Sequence, residues 1–134
     1  MNQILIDTCV WSLALRGKNT RNIEIAAELS SIIDQGSVMI IGPVRQELLS
    51  GYSNKNQYLK LKQKLDYFPN QKIIDDDYIL AAEYSNSCRA KGIQGSHTDF
   101  LICSVATRME ATIFTTDNDF QHYKLHLPIT LHYF

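Results

Sequence analysis

Four acidic residues hold positions from which they could act together. Asp7 ends the apolar run Ile4-Leu5-Ile6, Glu47 lies within PVRQELLSG, Asp99 opens the apolar segment SHTDFLICSVA, and Asp117 follows the run Ala111-Thr112-Ile113-Phe114-Thr115. Each falls at the C-terminal end of a strand-like stretch or in the early turns of a helix-like one. In an open α/β sheet, ligands bind in the crevice outside the carboxyl ends of the strands. Carboxylates gathered there repel one another unless a hard divalent cation neutralises them. Oxygen-only ligands suit Mg²⁺ or Mn²⁺, and no His/Cys set argues for zinc. Structural readings stand beside this one: Asp7 suits a helix cap, Glu47 a pair with Arg45 or a rim lysine, and Asp99 the third position of a helix capped by Ser96.

The elements that must position these acids can be read from apolar spacing. Ile4-Leu5-Ile6 is continuous, as in a strand buried on both faces. Cys9 to Leu15 is apolar around most of a short helix, and Arg16-Gly17-Lys18-Asn19 ends it. A second helix over 22–34 puts Ile25, Leu29, Ile32 and Ile33 on one face. Together these form a hairpin in which Trp11, Leu13 and Leu15 exceed what one helix on a small sheet requires, so they are either core or an exposed partner surface. Val38-Met39-Ile40-Ile41 reads as the second strand. Pro43 suits the first turn of a helix running to Ser50, whose stripe of Val44, Glu47, Leu48 and Gly51 places Glu47 among buried side chains.

Residues 54–68 form a polar helix with Tyr58, Leu61, Leu65 and Phe68 inward and four lysines, Lys55, Lys60, Lys62 and Lys64, on a solvated face or a basic rim. Lys72-Ile73-Ile74 is expected to be a short strand near a sheet edge. Asp75-Asp76-Asp77 is assigned to the start of a helix from about Tyr78 to Ala90, where negative charge favours the dipole. Gly92 is placed to end that helix. The segment Ser96 to Ala106 is apolar around nearly its whole circumference and must be central. Pro128 to Leu131 is a last short strand. Strands joined through helices in this order form a mostly parallel sheet with right-handed crossovers and helices on both faces.

The chain has 134 residues, the size of one domain spanning 1–134. A formal net charge of −1 announces no global basic field, so nucleic-acid binding would need a local basic rim. Cys9, Cys88 and Cys103 lack metal-ligand spacing and fit free thiols in a reducing compartment. No signal-like start or membrane-length apolar segment is present, and a cytoplasmic location is expected.

The motifs ILIDTCVW, PVRQELLSG, KGIQGSHTDFLICSVA and TIFTTDNDF, in this order and spacing, resemble the PIN-domain nucleases, in particular the VapC-type toxins of bacterial toxin-antitoxin pairs. The resemblance covers almost the whole chain. It implies a three-layer α/β/α sandwich around a parallel sheet. Asp7, Glu47, Asp99 and Asp117 would be the acidic metal-binding set, with Asp119 a further acid, Thr116 a hydroxyl positioning the pocket, and Thr98 beside Asp99. The implied activity is Mg²⁺- or Mn²⁺-dependent hydrolysis of RNA, tRNA among the candidates, with phosphates held by a rim drawn from Arg16, Lys18, Arg21, Arg45, Lys91 and Arg108. The Trp11, Leu13 and Leu15 hairpin would face a small antitoxin protein, and a homodimer is implied. His97 departs from the small residue or proline expected before Thr98-Asp99.

Two other classes compete. A receiver-like signalling module needs an acidic pair after its first strand and a lysine after its last; here one acid, Asp7, follows the first and no lysine follows Leu131. A catalytically silent relative that only binds partners is the other, and the presence of all four acids argues against it.

Overall fold

The computed structural model describes residues 2–16 and 19–134. Its centre is β1 (Ile4–Ile6), buried at all three positions. β2 (Val38–Met39) and β3 (Thr112–Phe114) pair with it on either side, both parallel, in the order β2-β1-β3. Leu5 stands opposite Met39 on one side and Ile113 on the other. A continuous apolar run is what a strand covered on both faces requires. Helices α1 (Thr8–Arg16), α2 (Thr20–Asp34), α3 (Gly42–Ser50), α4 (Lys55–Leu65), α5 (Asp75–Arg89), α6 (His97–Met109) and α7 (Asp119–Lys124) complete a three-layer α/β/α arrangement. α1 packs on α2 and α3, and α6 on α5 and β3.

Local chemistry sets the helix starts. The Asn19 side chain accepts from the Asn22 amide at 2.9 Å, Asn54 from Gln57 at 3.1 Å and Ser96 from Asp99 at 3.0 Å. Each satisfies an amide that the first helical turn leaves unpaired. α6 is buried from Phe100 through Ala106, as its all-round apolar sequence demands.

Two expected strands do not form as such. Lys72-Ile73-Ile74 has its backbone groups taken by side chains: the Ile74 amide donates to Asp77 Oδ2 at 3.0 Å, and the Lys72 carbonyl accepts from Arg108 at 3.0 Å. The ladder contact in this region is a single bridge between Ile40 and Asn70. The last segment reduces to one bridge, Ile113 to Leu131, in keeping with a proline at 128 that has no amide to offer. Trp11 belongs to the core, buried and 5.4 Å from the Phe68 ring, so it is not the exposed partner surface the sequence allowed. Leu13 is half-buried and Leu15 exposed.

Candidate active site

The three parallel strands end on one edge, and that edge collects the acids. Asp7 leaves β1 and is buried. Its Oδ1 accepts from the Thr8 amide at 2.7 Å and its Oδ2 from the Thr115 hydroxyl at 2.8 Å. Thr115, the residue after β3, also accepts the Asp117 amide at 3.0 Å. One hydroxyl therefore ties the end of β1 to the turn that carries Asp117. Cys9 Sγ lies 3.5 Å from both Asp7 Oδ2 and Thr115 Oγ1, and accepts the Thr116 amide at 3.4 Å. Asp117 Oδ1 accepts the Asp119 amide at 2.9 Å, closing an Asx turn at the start of α7.

Asp99 enters from the first turn of α6. Its Oδ2 accepts the hydroxyl of the buried Tyr123 at 2.7 Å. Gly95 is required here by close approach: a Cβ on it would overlap the Tyr123 hydroxyl and the ring carbon that bears it. The loop before α6 thus closes over the tyrosine that orients Asp99.

The electrostatics are those of negative charge held out of water. Burial pushes the Asp7 carboxyl above its ordinary value; the Thr115 and Thr8 bonds oppose this, and the Asp99 charge adds to it. Burial likewise raises Asp99, against the Tyr123 and Ser96 hydrogen bonds, with Asp117 adding a further upward push. Burial and the adjacent Asp99 together push the Tyr123 hydroxyl well up, so it stays a donor. The Cys9 thiol is raised by burial and by Asp7.

Glu47 is exposed, not buried, since Val44 and Leu48 take the inward side of α3 and position 47 turns off its flank. It lines an open hollow of about 530 Å³ together with Thr8 and Thr98, the neighbours of Asp7 and Asp99. Asp7, Asp99 and Asp117 are thus drawn together, and Glu47 stands apart from them across this hollow. Thr116 contributes its amide to Cys9, and the hydroxyl that positions the acids is that of Thr115. Asp119 is exposed at the head of α7, and His97 is exposed on the α5 side of α6.

Two expected rim cations are engaged elsewhere. Arg45 donates to Asn70 Oδ1 at 2.9 Å and to the carbonyls of Leu65 and Phe68, fastening the end of α4. Arg108 pairs with Asp77 at 2.7 and 2.9 Å. Arg21 and Lys91 are exposed. Lys18 and the Arg16 side chain lie outside the described residues. Thr115, Cys9 and Tyr123 escaped the sequence reading. Thr115 had a local signal, a second hydroxyl at a strand end, whereas the partner of Tyr123 is 24 residues away and announced by nothing nearby.

Among the described residues no three His, Cys, Asp or Glu side chains stand close enough to form a finished metal-ligand cluster. Mg²⁺ does not need one, because it binds through one or two carboxylates and keeps several waters. Thr8 Oγ1, buried next to Asp7 with no hydrogen-bond partner among the described residues, is a group that an ion's water shell would satisfy. The all-oxygen donors and the mutual repulsion of the acids fit a hydrated divalent ion.

Parallel strands delivering acids to one carboxyl edge under flanking helices make an acidic site of the α/β/α class. The PIN domain profile matches residues 4–125, and the chain belongs to the PIN-domain family. PIN domains are generally nucleases and generally use divalent metals. FitAcB from Neisseria gonorrhoeae superposes with a TM-score of 0.78 at 20% identity, over 98% of this chain and 97% of that one. VapBC2 from Rickettsia felis, solved with a DNA fragment from its promoter, gives 0.76 at 20% identity over 96% of each chain. VapBC-1 from nontypeable Haemophilus influenzae gives 0.74 at 15% identity, again over 96% of each. No curated protein matches the sequence. With membership in this family the receiver-like alternative falls. Among the described residues, no helix is long and apolar enough to cross a membrane.

Proposed function

We propose that this chain is a Mg²⁺-dependent endoribonuclease, Mn²⁺ serving in its place, and the toxin of a type II toxin-antitoxin pair. The observation that carries the reading is the meeting of Asp7, Asp99 and Asp117 on one sheet edge, where burial and mutual repulsion raise the first two. Among the described residues no lysine or arginine forms an ion pair with any of them.

Asp7 and Asp99, with Asp117, would hold the ion, which when bound lowers the pKa of a coordinated water and neutralises charge on the phosphate. The chain's own groups supply the order around it. Thr115 locks Asp7 to the Asp117 turn through one hydroxyl. Tyr123 holds Asp99 by Oδ2, which fixes the carboxylate plane and leaves Oδ1 for the site. Glu47, on the wall of the hollow, is the carboxylate with room to take the proton of an attacking water. Arg21 and Lys91 remain as rim cations for substrate phosphates, together with Arg16 and Lys18, and their contribution is expected to fall steeply with salt.

The toxin role is supported by likeness to complexes named FitAcB and VapBC. A small antitoxin protein is the proposed partner, seated on exposed apolar residues of the α1–α2 hairpin such as Leu15 and Ile23, and a homodimer is the proposed assembly. The test is incubation of purified, partner-free protein with cellular RNA, tRNA included, in Mg²⁺ or Mn²⁺ and in EDTA. Cleavage that disappears in EDTA supports the reading. RNA left intact in both ions by folded protein overturns it and assigns the chain to a silent binding role.

A further inference from the structure

A second feature adjoins the carboxylate edge. The segment after α7 folds back so that His132 lies 5.0 Å from the Phe114 ring, and Phe134 lies 5.4 Å from Phe114 and nearly parallel to His132, at 17° and 6.2 Å. Phe114 is fully buried and forms the floor, while Tyr133 and Phe134 are 63% and 67% exposed. These rings flank a recess of about 280 Å³ whose wall includes Arg21, Thr115 and Thr116. Thr115 is the residue that holds Asp7 and the Asp117 amide, so recess and acids share a wall.

The platform is held in place from outside the recess. Glu28 on α2 reaches the His132 ring nitrogen at 2.6 Å. The Lys124 ammonium lies 5.3 Å from the Tyr133 ring centre and 3.3 Å from its hydroxyl. Exposed aromatic rings lose little freedom on binding when they are already fixed this way. A rigid flat apolar face with an arginine at its rim, next to a phosphodiester-cutting centre, matches the two faces of one ligand: an unpaired base that stacks and a backbone that seeks positive charge.

We propose that Phe134 and Tyr133, backed by His132 and the buried Phe114 and with Arg21 at the rim, form a stacking subsite that seats one unpaired nucleobase of the RNA beside the carboxylates. The proposal rests on the nuclease reading for its substrate. The Gln121 amide also lines the recess and can bond to the edge of the stacked base.

The experiment binds the whole chain to single-stranded decaribonucleotides carrying 2-aminopurine at successive positions, with Ca²⁺ in place of Mg²⁺, following anisotropy for affinity and fluorescence for stacking. One position is expected to be quenched on binding. Phe134→Ala should lose that quench and about tenfold in affinity, Tyr133→Ala should weaken both less, and Phe134→Trp should keep both. Phe134 is exposed, so these variants fold. Unchanged affinity and quench in Phe134→Ala, or no quench at any position with the unmodified protein, overturns the subsite. Cleavage is scored separately in Mg²⁺ and Mn²⁺: an oligonucleotide stacked but never cut sinks the nuclease reading and leaves the subsite standing, whereas cutting by a Phe134→Ala variant whose affinity and quench are both unchanged does the reverse.

Discussion

Asp77 and Asp7 are both buried, 1% and 6% exposed, yet the fold treats them in opposite ways. Asp77 is given a cation of the chain's own. Burial alone would raise its carboxyl, but the Arg108 hydrogen bonds, the Ile74 amide and the Arg108 charge reverse this and hold it below the usual carboxylate range. Asp7 is given a hydroxyl, an amide and a thiol, all neutral, and a second acid, Asp99, nearby; it stays raised. A buried carboxylate with an arginine is a fastening, here of α5 to α6. One left among neutral partners and other acids carries a standing cost that the fold alone does not explain. That contrast separates the acid that fastens the fold from the acids proposed to hold a metal more sharply than burial or position in the sequence.

The contrast breaks most visibly at Asp99. Asp99→Asn should lower RNA cleavage by on the order of a thousandfold, since metal-supplied stabilisation of the transition state amounts to several kcal/mol. Its effect on stability should be the reverse. A carboxyl with a raised folded-state pKa gives stability that is full at low pH and lost as pH rises through that pKa. Asparagine removes the charged form, so Tm at neutral pH should hold or rise, and the advantage should vanish in acid. Added Mn²⁺ should raise Tm of the unmodified protein by mass action and leave the variant unmoved. A variant that unfolds earlier than the unmodified protein at pH 7 would place Asp99 with Asp77 instead.

Asp77→Asn should show the mirror image. Removing one partner of a buried pair costs about 3–5 kcal/mol, and the partial exposure of Arg108 brings the expected loss to about 2–3 kcal/mol. Asp77 has a depressed folded-state pKa, so its contribution is present above the unfolded value and lost as pH falls through the folded one. Urea melts should therefore show a stability difference at pH 7 that shrinks in acid, with cleavage by the folded fraction unchanged. Equal loss at every pH would mean that packing, not the ion pair, is what position 77 provides.

This division explains what could be read in advance. β1, β3 and α6 declare themselves because burial on all sides leaves unbroken apolar runs, and an acid at the end of such a run stands out. Pairing is a different matter. Nothing local tells Asp77 from Asp7, because their partners, Arg108 and Thr115, lie 31 and 108 residues away. For the same reason Arg45 and Arg108 read as free rim cations although each is engaged inside the fold, and Lys72-Ile73-Ile74 reads as a strand although its amide and carbonyl are claimed by Asp77 and Arg108. The exposure of Glu47 is hidden by a shorter-range effect. Positions 44, 47 and 48 share a helix side too broad to say which of them turns inward.

Thr115→Val tests the neutral side of the contrast at smaller scale. The change keeps the branched shape and removes the hydroxyl that donates to Asp7 and accepts the Asp117 amide. A buried group left unpaired costs about 1–3 kcal/mol, and loss of a ligand-orienting partner typically costs about 10–100-fold in activity. Both effects should appear, and Thr115→Ser should restore most of each. Full activity in the valine variant would show that Asp7 needs no fixed partner at the end of β3.

The smallest effect is expected where strain has no tie to the acids. Glu110, just past α6, sits at φ 53°, ψ 38°, the left-handed region that a side chain disfavours and glycine accepts. Its backbone there closes the helix, with the Ala111 amide donating to the Ala106 carbonyl at 2.9 Å so that β3 can begin. Glu110→Gly keeps that geometry and removes the clash of Cβ with the backbone, against the greater freedom glycine has when unfolded. The balance should favour the variant by about 0.5–1 kcal/mol, read as a raised urea midpoint with unchanged slope and unchanged cleavage. Strain at position 110 is then removable without functional cost, whereas at Asp99 the same gain in stability removes the activity. If Glu110→Gly instead lowers cleavage, the end of α6 transmits to its first turn, and the separation between structural and functional regions does not hold along that helix.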